Sequence, residues 1–160
     1  MTEQHITNGG FESEEYGEGW DATGDDCLFL IWPIYIHSGG WSCVIVSFSG
    51  PALLTQDVDF TNVNNLSFWY DHYGWGFFVA IDETIVSTPE VLGEWTQVTV
   101  DVSEYSGVHT LTFGLIMGSE DGDVFVFLDD ISAIADKKYW YEYGAGVKYM
   151  GRKGNVSCKV

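Results

Sequence analysis

The chain has 160 residues, and its 24 acidic side chains against 6 lysines and arginines give a formal charge of −18. A hydrophobic content of 46% and an aromatic content of 16% exclude a disordered acidic tail, and this length buries a core without disulfide staples. The acidic balance excludes nucleic acid and anionic membrane as principal partners, because both would repel it.

The N-terminus, Met1 to His5, has no basic segment and no long apolar stretch, so no secretory leader is expected. Strands are predicted at 4–7, 27–36, 42–48, 53–58, 65–71, 76–81, 84–87, 95–102, 109–117 and 123–132. Period-two alternation carries most of them. Leu66, Phe68 and Tyr70 alternate with Ser67, Trp69 and Asp71, which places Trp69 on the face opposite Phe68. Val98, Val100 and Val102 alternate with Thr99 and Asp101; Leu111, Phe113 and Leu115 alternate with Thr112 and Gly114. Turns are expected at Ser38-Gly39-Gly40, Ser49-Gly50-Pro51, Tyr73-Gly74, Leu92-Gly93 and Ser106-Gly107, where glycine supplies the backbone freedom. The apolar run 27–36, interrupted by Pro33, is too short to span a membrane. Short strands at this spacing predict an all-β, antiparallel sandwich.

The end of the chain differs from its body. Residues 1–136 contain no Lys or Arg, and of the 24 acids only Glu142 follows Asp136. The body therefore carries −23 and the last 24 residues carry +5. Two parts are expected: a sandwich over 1–136 and a basic, aromatic C-terminal arm over 137–160. In the arm, Lys137, Lys138, Tyr139, Trp140, Tyr141, Arg152 and Lys153 are candidates for docking on an acidic neighbouring subunit in an oligomer or lattice.

Cys27, Cys43 and Cys158 form neither a disulfide framework nor a zinc pattern, and are read as free thiols with a Cys27–Cys43 bridge left open. His5, His37, His72 and His109 are scattered without metal-ligand spacing. No nucleophile elbow, phosphate loop or dinucleotide fingerprint occurs, so an enzyme is not expected.

Four segments taken together resemble the jelly-roll carbohydrate-binding modules and their relatives in surface and virion proteins. They are Ile6-Thr7-Asn8-Gly9-Gly10-Phe11-Glu12 with Gly19-Trp20; Leu54 to Phe60 leading into Leu66-Ser67-Phe68-Trp69-Tyr70; Glu94-Trp95 to Ser103 followed by Leu111-Thr112-Phe113; and Val126-Phe127-Leu128-Asp129-Asp130-Ile131-Ser132. The resemblance covers residues 5–134 and implies a jelly-roll sandwich. It also implies a structural Ca²⁺ held by Glu12 and Asp129, with Asp130 as the adjacent candidate. Such modules stack sugar rings on aromatic side chains. The candidates are Trp32, Tyr35, Trp41, Trp69, Tyr73 and Trp75, and the segment Asp71-His72-Tyr73-Gly74-Trp75 is the expected ligand loop, with His72 beside the rings. Trp20 and Trp95 occupy structural positions in the resemblance.

The expected function is a non-catalytic, carbohydrate-binding β-sandwich on a virion or cell surface. It would be displayed as a decoration or adhesion subunit and fastened by the arm. The alternative is a free-standing, lectin-like module with no assembly role.

Overall fold

A computed structural model describes residues 2–13, 17–25, 27–116, 124–136, 139–143 and 146–150. It contains β1 (Thr2–Gln4), β2 (Asp21–Gly24), β3 (Cys27–Trp32), β4 (Ser42–Ser47), β5 (Ala52–Asp59), β6 (Val63–Tyr73) and β7 (Phe77–Ile81). These are followed by β8 (Thr84–Ser87), β9 (Thr96–Asp101), β10 (Val108–Leu115), β11 (Val124–Asp136), β12 (Tyr139–Tyr143) and β13 (Gly146–Met150). The larger sheet runs β3-β4-β11-β6-β9, with β1 paired to β11. The smaller sheet runs β2-β5-β10-β7-β8, and β12 pairs with β13 in a separate ladder. All pairings are antiparallel. The architecture is an all-β jelly-roll sandwich.

Alternating side chains from both sheets fill the space between them. The larger sheet supplies Ile45, Leu66, Phe68, Tyr70, Val126 and Leu128; the smaller supplies Leu54, Val58, Phe77, Ile81, Leu111 and Phe113. Phe68 meets Phe113 edge to face at 5.1 Å across the sandwich, and Tyr70 meets Phe77 at 5.7 Å. Burying each such ring stabilises the fold by roughly 1.5–3 kcal/mol. Trp20 bridges Phe113 and Phe11 at 6.0 and 5.8 Å, which places the N-terminal segment on the same core.

Three strand expectations change. The predicted strand 27–36 stops at Trp32, because Pro33 offers no N–H to a ladder. Residues 33–41 instead leave the sheet. β2 was not expected, because Asp21-Ala22-Thr23-Gly24 is exposed throughout and has no apolar face. It exists by pairing with β5, Asp21 opposite Thr55. β6 runs two residues beyond its predicted end, so His72 follows Leu66, Phe68 and Tyr70 inward and is 2% exposed. His72 packs on Tyr70 at 5.7 Å and Phe77 at 5.4 Å. It therefore faces the core rather than the face that carries Tyr73, and reaches solvent only at the groove beside Trp75.

Cys27 and Cys43 form no disulfide with each other. Cys27 lies opposite Ser47 while Cys43 lies opposite Ile31, an offset of four residues along the ladder. At about 3.4 Å per residue this is beyond disulfide reach. Burial pushes the Cys43 thiol up to about 12. Cys158 lies outside the described residues.

Burial lowers the pKa of His72 below 6.5, partly opposed by the nearby Asp71 carboxylate. As pH falls through 6.5 the unfolded chain binds a proton that native His72 refuses, so native stability drops. The melting temperature of His72→Gln should fall less than that of the parent protein between pH 7 and pH 5, read by differential scanning calorimetry.

Candidate functional site

The outer face of the larger sheet collects the chemistry. Residues directly opposite in antiparallel strands share a face. Leu28, Val46, Phe125 and Tyr73 are in register across β3, β4, β11 and β6 and form one apolar row. Its two ends, Leu28 and Tyr73, are each 41% exposed. Tyr73 lies against Phe125 with ring centroids 4.8 Å apart. This row is open to solvent at Tyr73.

The next row is Leu30, Val44, Phe127 and Asp71. Here the 33–41 loop crosses the sheet. Tyr35 stacks on Trp95 at 5.3 Å and 16°, and meets Phe127 edge on at 4.8 Å. Its hydroxyl donates to Asp71 Oδ2 at 2.7 Å. That bond, then burial, pushes the Tyr35 phenol up to about 12, so it stays a neutral donor. One row further, His37 stacks on Trp69 at 3.7 Å and 16°. Trp69 lies opposite Asp129 on β11.

A bulge in β11 organises the carboxylates. In a regular strand Asp129 and Asp130 would point to opposite faces. The pairing with β6 slips between Asp129 and Ser132, and Asp130 adopts φ 48°, so one extra residue is accommodated. Ile131 still points inward, at 2% exposure. The N-terminal turn seals the bulge: Ile131 N–H donates to Gly9 O at 2.9 Å. A Cβ on Gly9 would stand 2.0 Å from Ile131 O, so only glycine fits there.

The carboxylates hold the 33–41 loop by its amides. Asp129 Oδ2 accepts from His37 N at 3.0 Å and Ser38 N at 3.1 Å, and its Oδ1 accepts from Asp130 N at 2.8 Å. Asp130 Oδ1 accepts from the Ser38 hydroxyl at 2.8 Å, and its Oδ2 lies 2.7 Å from His37 Nδ1. Glu12 Oε1 accepts from Gly40 N at 2.7 Å and Trp41 N at 3.0 Å. Gly39, at φ +68°, permits this approach, since a Cβ there would lie 2.1 Å from Glu12 Oε1.

Of the predicted metal residues, Asp129 and Asp130 come together with His37, while the carboxylate of Glu12 turns to the amides of Gly40 and Trp41. The space a Cβ on Gly10 would fill lies 3.7 Å from Glu12 Cγ and Asp130 Oδ1, and 3.9 Å from Asp129 Oδ1. Ligand atoms of His37, Asp129 and Asp130 lie within 4.8 Å of one another. Burial raises the Asp129 carboxyl above the usual carboxylate range, against the pull of the amides of Ser38, Asp130 and His37. No Lys or Arg occurs in residues 1–136 to balance Asp129 and Asp130. His37 is a nitrogen partner of Asp130 rather than a Ca²⁺ ligand type.

The predicted ring cluster is divided. Trp69, Tyr73 and Tyr35 share the outer face. Trp32 ends the edge strand β3, opposite Ser42 and 36% exposed. Trp75 is 80% exposed in the β6–β7 turn, beside a groove of about 330 Å³ that Ile85, Val91 and Ile116 also line. Trp95, Phe127 and His37 were not among the predicted ligand residues, and Asp71 entered only as the first residue of the expected ligand loop. Trp95 belongs to the outer face rather than the core. In the arm, Tyr139, Trp140 and Tyr141 lie on β12, but their side chains, with Lys137, Lys138, Arg152 and Lys153, are outside the described set.

No protein-family profile matches the chain, and no curated protein does. Solved structures do. A family-61 carbohydrate-binding module in complex with β-1,4-galactotriose superposes with TM-score 0.61 at 20% identity, over 84% of this chain and 99% of that one. A family-29 carbohydrate-binding module gives 0.56 at 12% identity, over 84% and 89%. The enzymatically active domain of bacteriophage CBA120 tailspike protein 4 gives 0.59 at 13% identity, over 82% of this chain and 21% of that one. At these identities the likeness establishes the fold: this chain has the β-sandwich of carbohydrate-binding modules.

Proposed function

We propose that the outer face of the larger sheet binds a glycan, as a non-catalytic module. The observation that carries this is the in-register row Leu28–Val46–Phe125–Tyr73, open at Tyr73 and bordered by Tyr35, Trp95 and Trp69. Sugar rings present C–H faces that stack on such aromatics, and adjacent polar groups orient their hydroxyls. Asp71 lies in the next row, beneath Tyr35. The galactotriose complex of a module with this fold supports the reading.

A Ca²⁺ ion held by Glu12, Asp129 and Asp130 belongs to the same reading. It would supply the counter-charge that the body lacks and join the N-terminal turn, the last strand of the sandwich and the 33–41 loop. Ca²⁺ in this position is structural.

The module is read as displayed outside a cell or on a virion, fastened to neighbouring subunits by residues 137–160. The +5 charge of that arm against a −23 body favours docking on an acidic neighbour, and the tailspike with this fold supports a virion setting.

Titration with neutral and acidic oligosaccharides, read by tryptophan fluorescence and calorimetry, should give saturable binding. Tyr73→Ala should weaken it about tenfold, equivalent to about 1.4 kcal/mol, with an unchanged melting temperature. No binding across galactan, mannan, glucan and uronate series rejects the glycan reading. Millimolar Ca²⁺ should raise the melting temperature, chelator should reverse it, and Asp129→Asn should abolish the response; a flat response removes the ion. Deleting 137–160 should leave the sandwich folded and prevent incorporation into the assembly; a truncated chain that still incorporates removes the arm's role.

A further inference from the structure

Two buried polar atoms on the outer face have no partner. Asp71 is 1% exposed, and while its Oδ2 accepts the Tyr35 hydroxyl, its Oδ1 is unpaired. Trp95 Nε1 is a buried donor without an acceptor. Buried polar atoms in native structures are paired with protein, water or ligand. Both residues touch the same side chain: the Tyr35 ring stacks on Trp95 at 5.3 Å and 16°, and its hydroxyl reaches Asp71. A flat six-membered ring, parallel to an indole and donating a hydroxyl to a carboxylate, has the contact pattern of a pyranose on a Trp platform.

We propose that the Tyr35 side chain occupies the seat of a neutral pyranose, and that Asp71 and Trp95 read two hydroxyls of that sugar once Tyr35 turns out. The inference rests on the glycan reading above and names the sugar class and the residues that select it. Asp71 is the acceptor and the Trp95 indole the donor. Phe127, edge on to Tyr35 at 4.8 Å, closes the side of the seat.

The anchoring of the loop fits this motion. Its backbone is pinned at the seat and after it: Ser42 Oγ donates to Tyr35 O at 2.6 Å, and Asp129 and Glu12 hold the amides of His37, Ser38, Gly40 and Trp41. The Tyr35 side chain itself is held by one hydrogen bond and its ring contacts. A χ rotation of one residue therefore opens the seat while the loop stays in place.

The class of sugar follows from charge. Asp71 faces the seat directly, Glu94 acts on Tyr35 through space, and Asp129 and Asp130 anchor the same loop. No Lys or Arg occurs in residues 1–136 to receive a carboxylate or sulfate. A uronate or sulfated sugar would meet like charge and no partner; a neutral pyranose meets an acceptor and a donor.

The test compares galactan, mannan and glucan oligosaccharides with oligogalacturonate by calorimetry on the full chain and on four variants. Neutral oligosaccharides should bind and oligogalacturonate should not. Tyr35→Ala should bind several-fold tighter, because the internal competitor is gone; Tyr35→Phe, which keeps the ring and loses the hydroxyl, should gain less. Asp71→Asn and Trp95→Phe should each weaken binding about tenfold, with melting temperatures confirming the fold. Weaker binding by Tyr35→Ala, unchanged binding by both Asp71→Asn and Trp95→Phe, or equal binding of oligogalacturonate would overturn the inference while leaving the glycan reading intact. If neither the parent chain nor Tyr35→Ala binds any of these sugars, the glycan reading itself fails and this inference with it.

Discussion

A body with 23 acids and no Lys or Arg has only its histidines as side-chain cations, and among the described residues His37 and His109 pair with Asp130 and Asp82. Desolvating a carboxylate is unfavourable unless donors surround it, so neutral donors must do the work. Asp129 takes three backbone amides and Glu12 takes two. Asp82 accepts from Thr110 N and meets His109, Asp101 accepts from Ser103 N, and Asp59 accepts from Thr61 N. Backbone donors are fixed by chain geometry rather than by flexible side chains. Each carboxylate therefore holds a turn or loop in one place. The 33–41 loop is the strongest case, because five of its donors, His37 N, Ser38 N, Ser38 Oγ, Gly40 N and Trp41 N, end on Glu12, Asp129 or Asp130.

The strands that bury one face were readable, because burial imposes period two on Leu66–Tyr70 and Val98–Val102; Leu111–Leu115 alternates in residue type although it is buried on both faces. β2 was not, because a short exposed edge has no apolar face to betray it. Parity alone could have placed His72, two residues beyond Tyr70, on the inner face; the misreading came from ending the strand at Asp71. Trp69 on the outer face followed from the same parity. The partners of the loop did not. His37 meets Asp130 across 93 positions, and Tyr35 meets Asp71 across 36. Such contacts arise from the sandwich topology, and no local pattern encodes them. The bulge at Asp130 was equally hidden, since Asp129-Asp130 in an alternating strand reads as one carboxylate per face.

The outer face divides into an open row and a covered one because of Pro33. Had β3 continued to residue 36, the edge strand would have extended and no chain would have crossed the sheet. Ending the strand there releases nine residues, and the carboxylates of Glu12, Asp129 and Asp130 draw them over Phe127 and Trp69. Ordering that many residues is entropically unfavourable at about 1–2 kcal/mol each. Hydrogen bonds of about 1 kcal/mol apiece offset only part of this. The aromatic contacts of Tyr35 and His37 act on the same residues, so the apolar and polar halves of the loop depend on each other.

β11 is the last strand of the sandwich in sequence and the middle strand of its larger sheet. Before it exists, β3–β4 and β6–β9 are two separate pairs with no ladder between them. On a ribosome, chain order becomes folding order: the smaller sheet can assemble first, while the larger one waits for residues beyond 124. When β11 arrives it inserts between two waiting edges and closes on β1, joining positions 4 and 134. Such non-local closure is slow. During that wait both edges stand open to other chains, and repulsion among 23 acids opposes their pairing.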